Sequence, residues 1–111
     1  MKFSYLSLSA LLGTLFLAFA AQAETKSYEL TIQDHHFSPA ELKVPAGEKI
    51  KLRVINKDAT PEEFESHDLN REKVIEGSSE GTVLLGPLKA GSYSYVGEYN
   101  EDVAKGVIIA E

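Results

Sequence analysis

Apolar side chains fall at every second position in segment after segment of this chain, and no long stretch repeats at the helical period. Tyr28, Leu30 and Ile32 alternate with Glu29, Thr31 and Gln33. Leu42 and Val44 resume the pattern, and Ile50, Leu52 and Val54 oppose Lys49, Lys51 and Arg53. Tyr93 and Tyr95 continue it, and a closing run follows at Val107-Ile108-Ile109. Successive side chains of a strand point to opposite faces, so alternation of this kind belongs to strands with one face in a core. Val74-Ile75 and residues 82–85 add two shorter runs. The punctuation between them is of the turn type: a loop entry over 34–38 before Pro39, Pro45-Ala46-Gly47-Glu48, a turn over 77–81, and Gly86-Pro87 leading into the strand at 93–96. Seven or eight short strands at this spacing predict an all-β sandwich or barrel.

Residues 59–73 are the least regular part. Thr60-Pro61-Glu62-Glu63 carries helix-start signals, with Thr60 as N-cap and Pro61 at the first helical position. Phe64 is the only apolar residue before Leu69, however, which is too little to anchor an amphipathic helix. The stretch therefore reads as an acidic loop with a short extended piece over 63–66.

The beginning of the chain has a different character. Lys2 precedes an almost wholly apolar run over 11–21, and Ala21-Gln22-Ala23 is a small-x-small cleavage site. This predicts a secretory signal peptide over 1–23, cleaved after Ala23, and one mature domain over 24–111. The apolar run is short for the ~20 residues a membrane span needs. Cysteine is absent, so the domain holds by packing alone and thiolate chemistry is excluded. The net charge of −6 becomes −7 once Lys2 is removed. That balance argues against nucleic acid as a partner and favours cations or basic surfaces.

Phe37-Ser38-Pro39-Ala40-Glu41-Leu42-Lys43-Val44-Pro45-Ala46-Gly47, the strand ending at Asn56, and Leu88-Lys89-Ala90-Gly91-Ser92-Tyr93-Ser94-Tyr95 together resemble the cupredoxins, Greek-key β-sandwiches of secreted copper proteins. The resemblance implies that fold for nearly all of the mature chain. In that family the closing loop places Cys after the aromatic strand, His three residues on, and Met shortly before a Gly. Those positions hold Gly97, Asn100, and Val103 or Ala104, ahead of Gly106. The upstream His falls within 61–66, where the chain reads Pro-Glu-Glu-Phe-Glu-Ser. A blue-copper centre needs two imidazoles, a thiolate and a weak axial ligand, so a type 1 copper centre is excluded.

Glu-Phe-Glu-Ser followed by Leu69, Glu72-Lys73-Val74-Ile75 and a Gly-Glu-Tyr loop are similar to the cupredoxin-like domain of bacterial periplasmic ferrous-iron uptake systems of the EfeO-like type. That resemblance implies a periplasmic protein binding iron or copper beside an inner-membrane iron permease, or another periplasmic component of the system. Electron transfer during Fe(II) oxidation is a further implied role.

The residues supply a candidate site of their own. Glu63 and Glu65 are two apart and project to one face of an extended segment. If the closing loop lies beside them, Glu98 and Asp102 complete a hard oxygen site suited to Fe(III), Mn(II), Mg(II) or Ca(II) rather than Cu(I). His67, or one of His35 and His36, would add imidazole and widen the choice to Fe(II), Cu(II) or Zn(II). The competing reading is that the acids of 58–68 form a solvated loop, and Glu62 and Asp68 are read as plain surface charge. Tyr93 and Tyr95 are read as core. No catalytic constellation stands out, because Ser66-His67-Asp68 are sequence neighbours without a nucleophile elbow. The expectation is a periplasmic metal-binding protein serving an iron-uptake system, with a metal-free cupredoxin-like adaptor of a membrane transport complex as the alternative.

Overall fold

The computed structural model describes residues 24–111, so the predicted signal peptide over 1–23 lies outside the described residues. Nine strands follow in order: β1 Lys26–Gln33, β2 His36–Ser38, β3 Glu41–Val44, β4 Ile50–Asn56, β5 Glu62–Ser66, β6 Arg71–Ile75, β7 Ser79–Leu85, β8 Gly91–Gly97 and β9 Lys105–Ala110. A single 3-10 turn, Glu98–Asn100, separates the last two. The strands form a four-stranded sheet, β2-β1-β4-β7, and a five-stranded sheet, β3-β9-β8-β5-β6. Both are mixed, since β1 runs parallel to β4 and β3 parallel to β9. Among the described residues no helix is long and apolar enough to cross a membrane.

The predicted alternation becomes the core. Leu30, Ile32, Leu52, Val54, Val83 and Leu85 of one sheet face Val44, Phe64, Ile75, Tyr95 and Ile108 of the other, and all are buried. Three rings lie at its centre: Phe37 meets Tyr95 edge-on at 5.0 Å, and Phe64 is tilted against Tyr95 at 5.1 Å. Such pairs add about 0.5–1.5 kcal/mol beyond the area they bury. Tyr95 lies opposite Gly106 in the β8–β9 ladder, and a Cβ at Gly106 would run into the Tyr95 ring. Gly106 thus leaves room for the phenol to lie across the neighbouring strand. Tyr95 is core as expected, and Tyr93 packs against the core from a partly exposed position.

Three local expectations are corrected. The loop entry over 34–38 contains β2. Asp34 and His35 both have positive φ, 51° and 62°, and form a two-residue hairpin turn of the I′ kind between β1 and β2. The Asp58 carboxylate fastens that turn by accepting the N–H groups of Asp34 (2.8 Å) and His35 (3.0 Å). The turn expected over 77–81 ends sooner, because Ser79, Glu80 and Gly81 already pair with β4. Gly81 is a packing glycine: a Cβ there would stand 2.6 Å from Ile75 Cδ1. In the stretch read as an acidic loop over 59–73, the expected extended piece over 63–66 is β5. Residues 71–73, expected as loop, also pair with it as the start of β6, which runs on into the expected strand at Val74-Ile75.

Asn56, at the end of β4, is 2% exposed and ties these parts together. Its Nδ2 donates to the carbonyls of Thr60, Ile75 and Glu76, and its Oδ1 accepts from Asp58 N. One side chain thus closes the end of β4 onto the approach to β5 and the end of β6.

Candidate metal centre

β5 places its side chains alternately on the two faces of the five-stranded sheet. Phe64 enters the core, and Glu62 and Ser66 point the same way. Glu63 and Glu65 therefore share the opposite face, as the two-residue spacing required. Across the β5–β6 hairpin Glu65 lies directly opposite Glu72, a like-charge pair that works against the sheet. The 3-10 turn after β8 brings Glu98 to the same place. One carboxylate oxygen each from Glu63, Glu72 and Glu98 lie within 4.8 Å of one another.

The electrostatics of this cluster are unbalanced. Glu63 is 8% exposed, and among the described residues its buried Oε1 has no hydrogen-bond partner. The groups beside it, Glu72 and Glu98, are themselves acceptors. A proton or a cation between these oxygens makes such contacts favourable. Accordingly the Glu63 carboxyl is pushed up to about 7, first by sharing a proton with Glu98, then by burial, then by Glu72. Glu65 is raised as well, chiefly by burial and next by Glu98, with His67 acting in the opposite direction. The Tyr99 phenol is raised by partial desolvation of its hydroxyl, by the charges of Glu63 and Glu98, and by the approach of that hydroxyl to the Glu63 carboxyl as a donor. Among the described residues no Lys or Arg forms an ion pair with Glu63, Glu72 or Glu98.

The other sequence candidates do not join the three-acid group. Glu65 is held 3.7 Å from His67 Nε2, and the His67 side chain is 92% exposed. His35 stands 3.6 Å from Asp58, and His36 Nδ1 is 2.7 Å from its own turn's Asp34 carbonyl. Both histidines belong to the β1–β2 hairpin. Asp102 is exposed in the turn after the 3-10 segment and does not join the cluster. Glu72 was not among the candidates. The signal that finds it is the β5–β6 register, which spacing along one strand cannot show.

Glu62, read as surface charge, is 1% exposed. Its carboxylate accepts three hydrogen bonds: Oε1 from Glu63 N (3.0 Å) and Tyr99 N (2.9 Å), and Oε2 from Asn100 Nδ2 (2.6 Å). Asp68 is exposed, as read, but its Oδ2 accepts from Ser94 N at 2.9 Å and so braces β8.

Glu62 also explains Gly97. A Cβ at Gly97 would stand 2.6 Å from Glu62 Cδ and 2.7 Å from Ala104 Cβ. Glu62, Gly97, Asn100 and Ala104 thus meet at the positions where the resemblance puts the copper ligands, and a carboxylate fills the space a Cys side chain would enter. Without thiolate or imidazole this donor set does not fit type 1 copper. The outer cluster does fit a hard cation. Three carboxylate oxygens at this spacing suit metal–oxygen bonds of about 2.0–2.6 Å.

The comparisons with known proteins agree with the architecture. The family model for the cupredoxin-like domain matches residues 7–110. An uncharacterised protein of Rickettsia prowazekii (strain Madrid E) is 46% identical over 81 residues, which is 73% of this chain; the match spans 65% of that relative's length. Among solved structures, a copper binding protein in its apo form superposes with a TM-score of 0.69 at 17% identity, covering 81% of this chain and 92% of the other. Auracyanin A, a blue copper protein from Chloroflexus aurantiacus, superposes with a TM-score of 0.62 at 16% identity, covering 77% of this chain and 98% of the other. At these identities the structural likeness concerns the fold. With the Greek-key sandwich in place, and with the family model matching nearly the whole sequence, the chain belongs to the cupredoxin-like domain family.

Proposed function

We propose that this protein is a periplasmic metal carrier. It binds a hard cation, iron in its physiological setting, through Glu63, Glu72 and Glu98 and passes it to a membrane iron-uptake system. The observation that carries this reading is the buried Glu63 Oε1, which lacks a donor and faces two further carboxylates. A cation at that point supplies the missing partner of Glu63 and offsets the repulsion within the cluster. Oxygen donors favour Mg, Ca and Mn, and hard Fe(III) by the same preference, over Cu(I). Glu65, one cross-strand position from Glu72, adds negative potential that draws cations to the sheet edge. The iron-uptake assignment extends the resemblance of the Glu-Phe-Glu-Ser and Gly-Glu-Tyr segments.

Calorimetric titration of the chelator-stripped protein with Mn(II), Zn(II) and Cu(II) tests the reading, with Mn(II) as an oxygen-stable stand-in for Fe(II). One-to-one binding of Mn(II) at about micromolar affinity or tighter is expected, and Glu63→Gln should abolish it. Absence of binding by all three ions would refute the carboxylate site. A metal-free adaptor would then be favoured by the exposed Val74, opposite Glu63 in the ladder, and by Tyr99, 51% exposed beside Glu98.

A further inference from the structure

The three acids come from two parts of the chain that the sheet barely joins at this end. Glu63 and Glu72 belong to the β5–β6 hairpin, whereas Glu98 belongs to the 3-10 turn after β8. β5 and β8 are paired at only two positions, Phe64↔Gly97 and Glu65↔Val96. Past Gly97 the ladder stops, just where Glu63 and Glu98 have to be held at a fixed separation. What continues across the gap is the Glu62 side chain. It accepts the N–H of Glu63 on its own strand and the N–H of Tyr99 and side-chain amide of Asn100 in the turn.

We propose that Glu62 and Asn100 are the positioning residues of the three-acid site: their buried link substitutes for the missing ladder and sets the Glu63–Glu98 separation that a cation requires. The inference rests on the metal-binding reading of the outer cluster and adds to it the residues that shape the site without touching the ion. Glu62 points to the inner face and Glu63 to the outer, so the two carboxylates do not compete for one ligand. Groups that orient metal ligands are typically worth about 10- to 100-fold in metal affinity. The absence of a side chain at Gly97 belongs to the same device, because a Cβ there would press on the Glu62 carboxyl carbon.

The test exchanges donor and acceptor across the link. Asn100→Asp sets a carboxylate against Glu62 and breaks the link, although it adds negative charge near the cation. The double variant Glu62→Gln with Asn100→Asp restores a donor–acceptor pair, now running from residue 62 to residue 100, at unchanged net charge. Mn(II) affinity is read by titration, the geometry of bound Mn(II) by electron paramagnetic resonance, and the folded state by circular dichroism. The single variant is expected to lose about tenfold or more in Mn(II) affinity, and the double variant to recover to within about threefold of the parent. Gly97→Ala, which displaces Glu62 without altering any charge, should weaken Mn(II) in the same direction and serves if Asn100→Asp does not fold. Parent-like affinity in either Asn100→Asp or Gly97→Ala, or an equal loss in the single and double variants, overturns the positioning role while leaving the outer site standing. Parent protein that binds no Mn(II), or binding unaffected by Glu63→Gln, overturns the site itself and the positioning role with it.

Discussion

Tyr95 sets up a stability prediction whose sign runs against the usual effect of core substitution. The side chain is 2% exposed, its buried hydroxyl has no partner among the described residues, and burial pushes the phenol's pKa upward. A buried polar group left unpaired costs about 1–3 kcal/mol, because the water it bonds to in the unfolded chain is not replaced. Tyr95→Phe removes that cost. It also forfeits the dispersion contacts of one oxygen atom, a few pairs at about 0.1–0.2 kcal/mol each, or about 0.5 kcal/mol in all. The ring itself stays where Phe37, Phe64 and Gly106 hold it. The balance is a gain of about 1 kcal/mol, which in a domain of this size raises Tm by about 4–8 °C. With a urea slope of about 1 kcal/mol/M, the midpoint should rise by about 1 M at unchanged slope. Matched urea and thermal melts of the two proteins measure it. A lower midpoint for Tyr95→Phe would mean that the hydroxyl is bonded in solution, and the reasoning from an unpaired phenol would fail.

Two further outcomes are expected. The Glu63 carboxyl is raised from 4.5 to about 7, so the folded state holds this proton more tightly than the unfolded chain. Its contribution to stability is complete below about pH 4.5 and is lost as pH rises through 7. Metal-free protein should therefore lose stability across that window, whereas Glu63→Gln should flatten the decline; pH-dependent urea melts with and without the substitution decide it, and an unchanged profile in the variant would contradict the assignment. Asn56→Ala removes a buried amide that serves three carbonyls and one N–H. It should cost about 2–3 kcal/mol, read as a fall of about 2 M in the urea midpoint, and an unchanged midpoint would show that solvent takes over those bonds.

The strands were legible wherever one face was apolar and the other polar, as at Tyr28-Leu30-Ile32 and Ile50-Leu52-Val54. They were hidden where side chains mislead. Gly81 resembles a turn glycine, yet it clears space for Ile75 within β7. β2 is three residues long and sits behind an Asp34-His35 turn whose shape depends on Asp58, more than twenty positions away. The candidate site was legible to the extent that period-two spacing sets Glu63 and Glu65 on one face. Glu72 escaped because cross-strand register is decided by the hairpin and not by either strand alone. Glu62 escaped because a carboxylate reads as solvent-facing unless its donors are known, and those donors are two backbone N–H groups and an amide 38 positions on.

The parallel pairing of β3 with β9 has a consequence for the order in which this molecule can be assembled. β3 occupies one edge of the five-stranded sheet, and among the described residues its sole sheet neighbour is β9, more than sixty residues later in the chain. Contacts between such distant segments demand loop closure before they repay it, which slows folding and leaves strand edges open meanwhile. β8, from which the third acid follows, likewise waits for β9 on one of its sides. β5, β6, β8 and the 3-10 turn, which carry Glu63, Glu72 and Glu98, all precede residue 105 and pair without β9. The last strand therefore seats β3 and closes the free side of β8, while the three acids are assembled by strands that precede it.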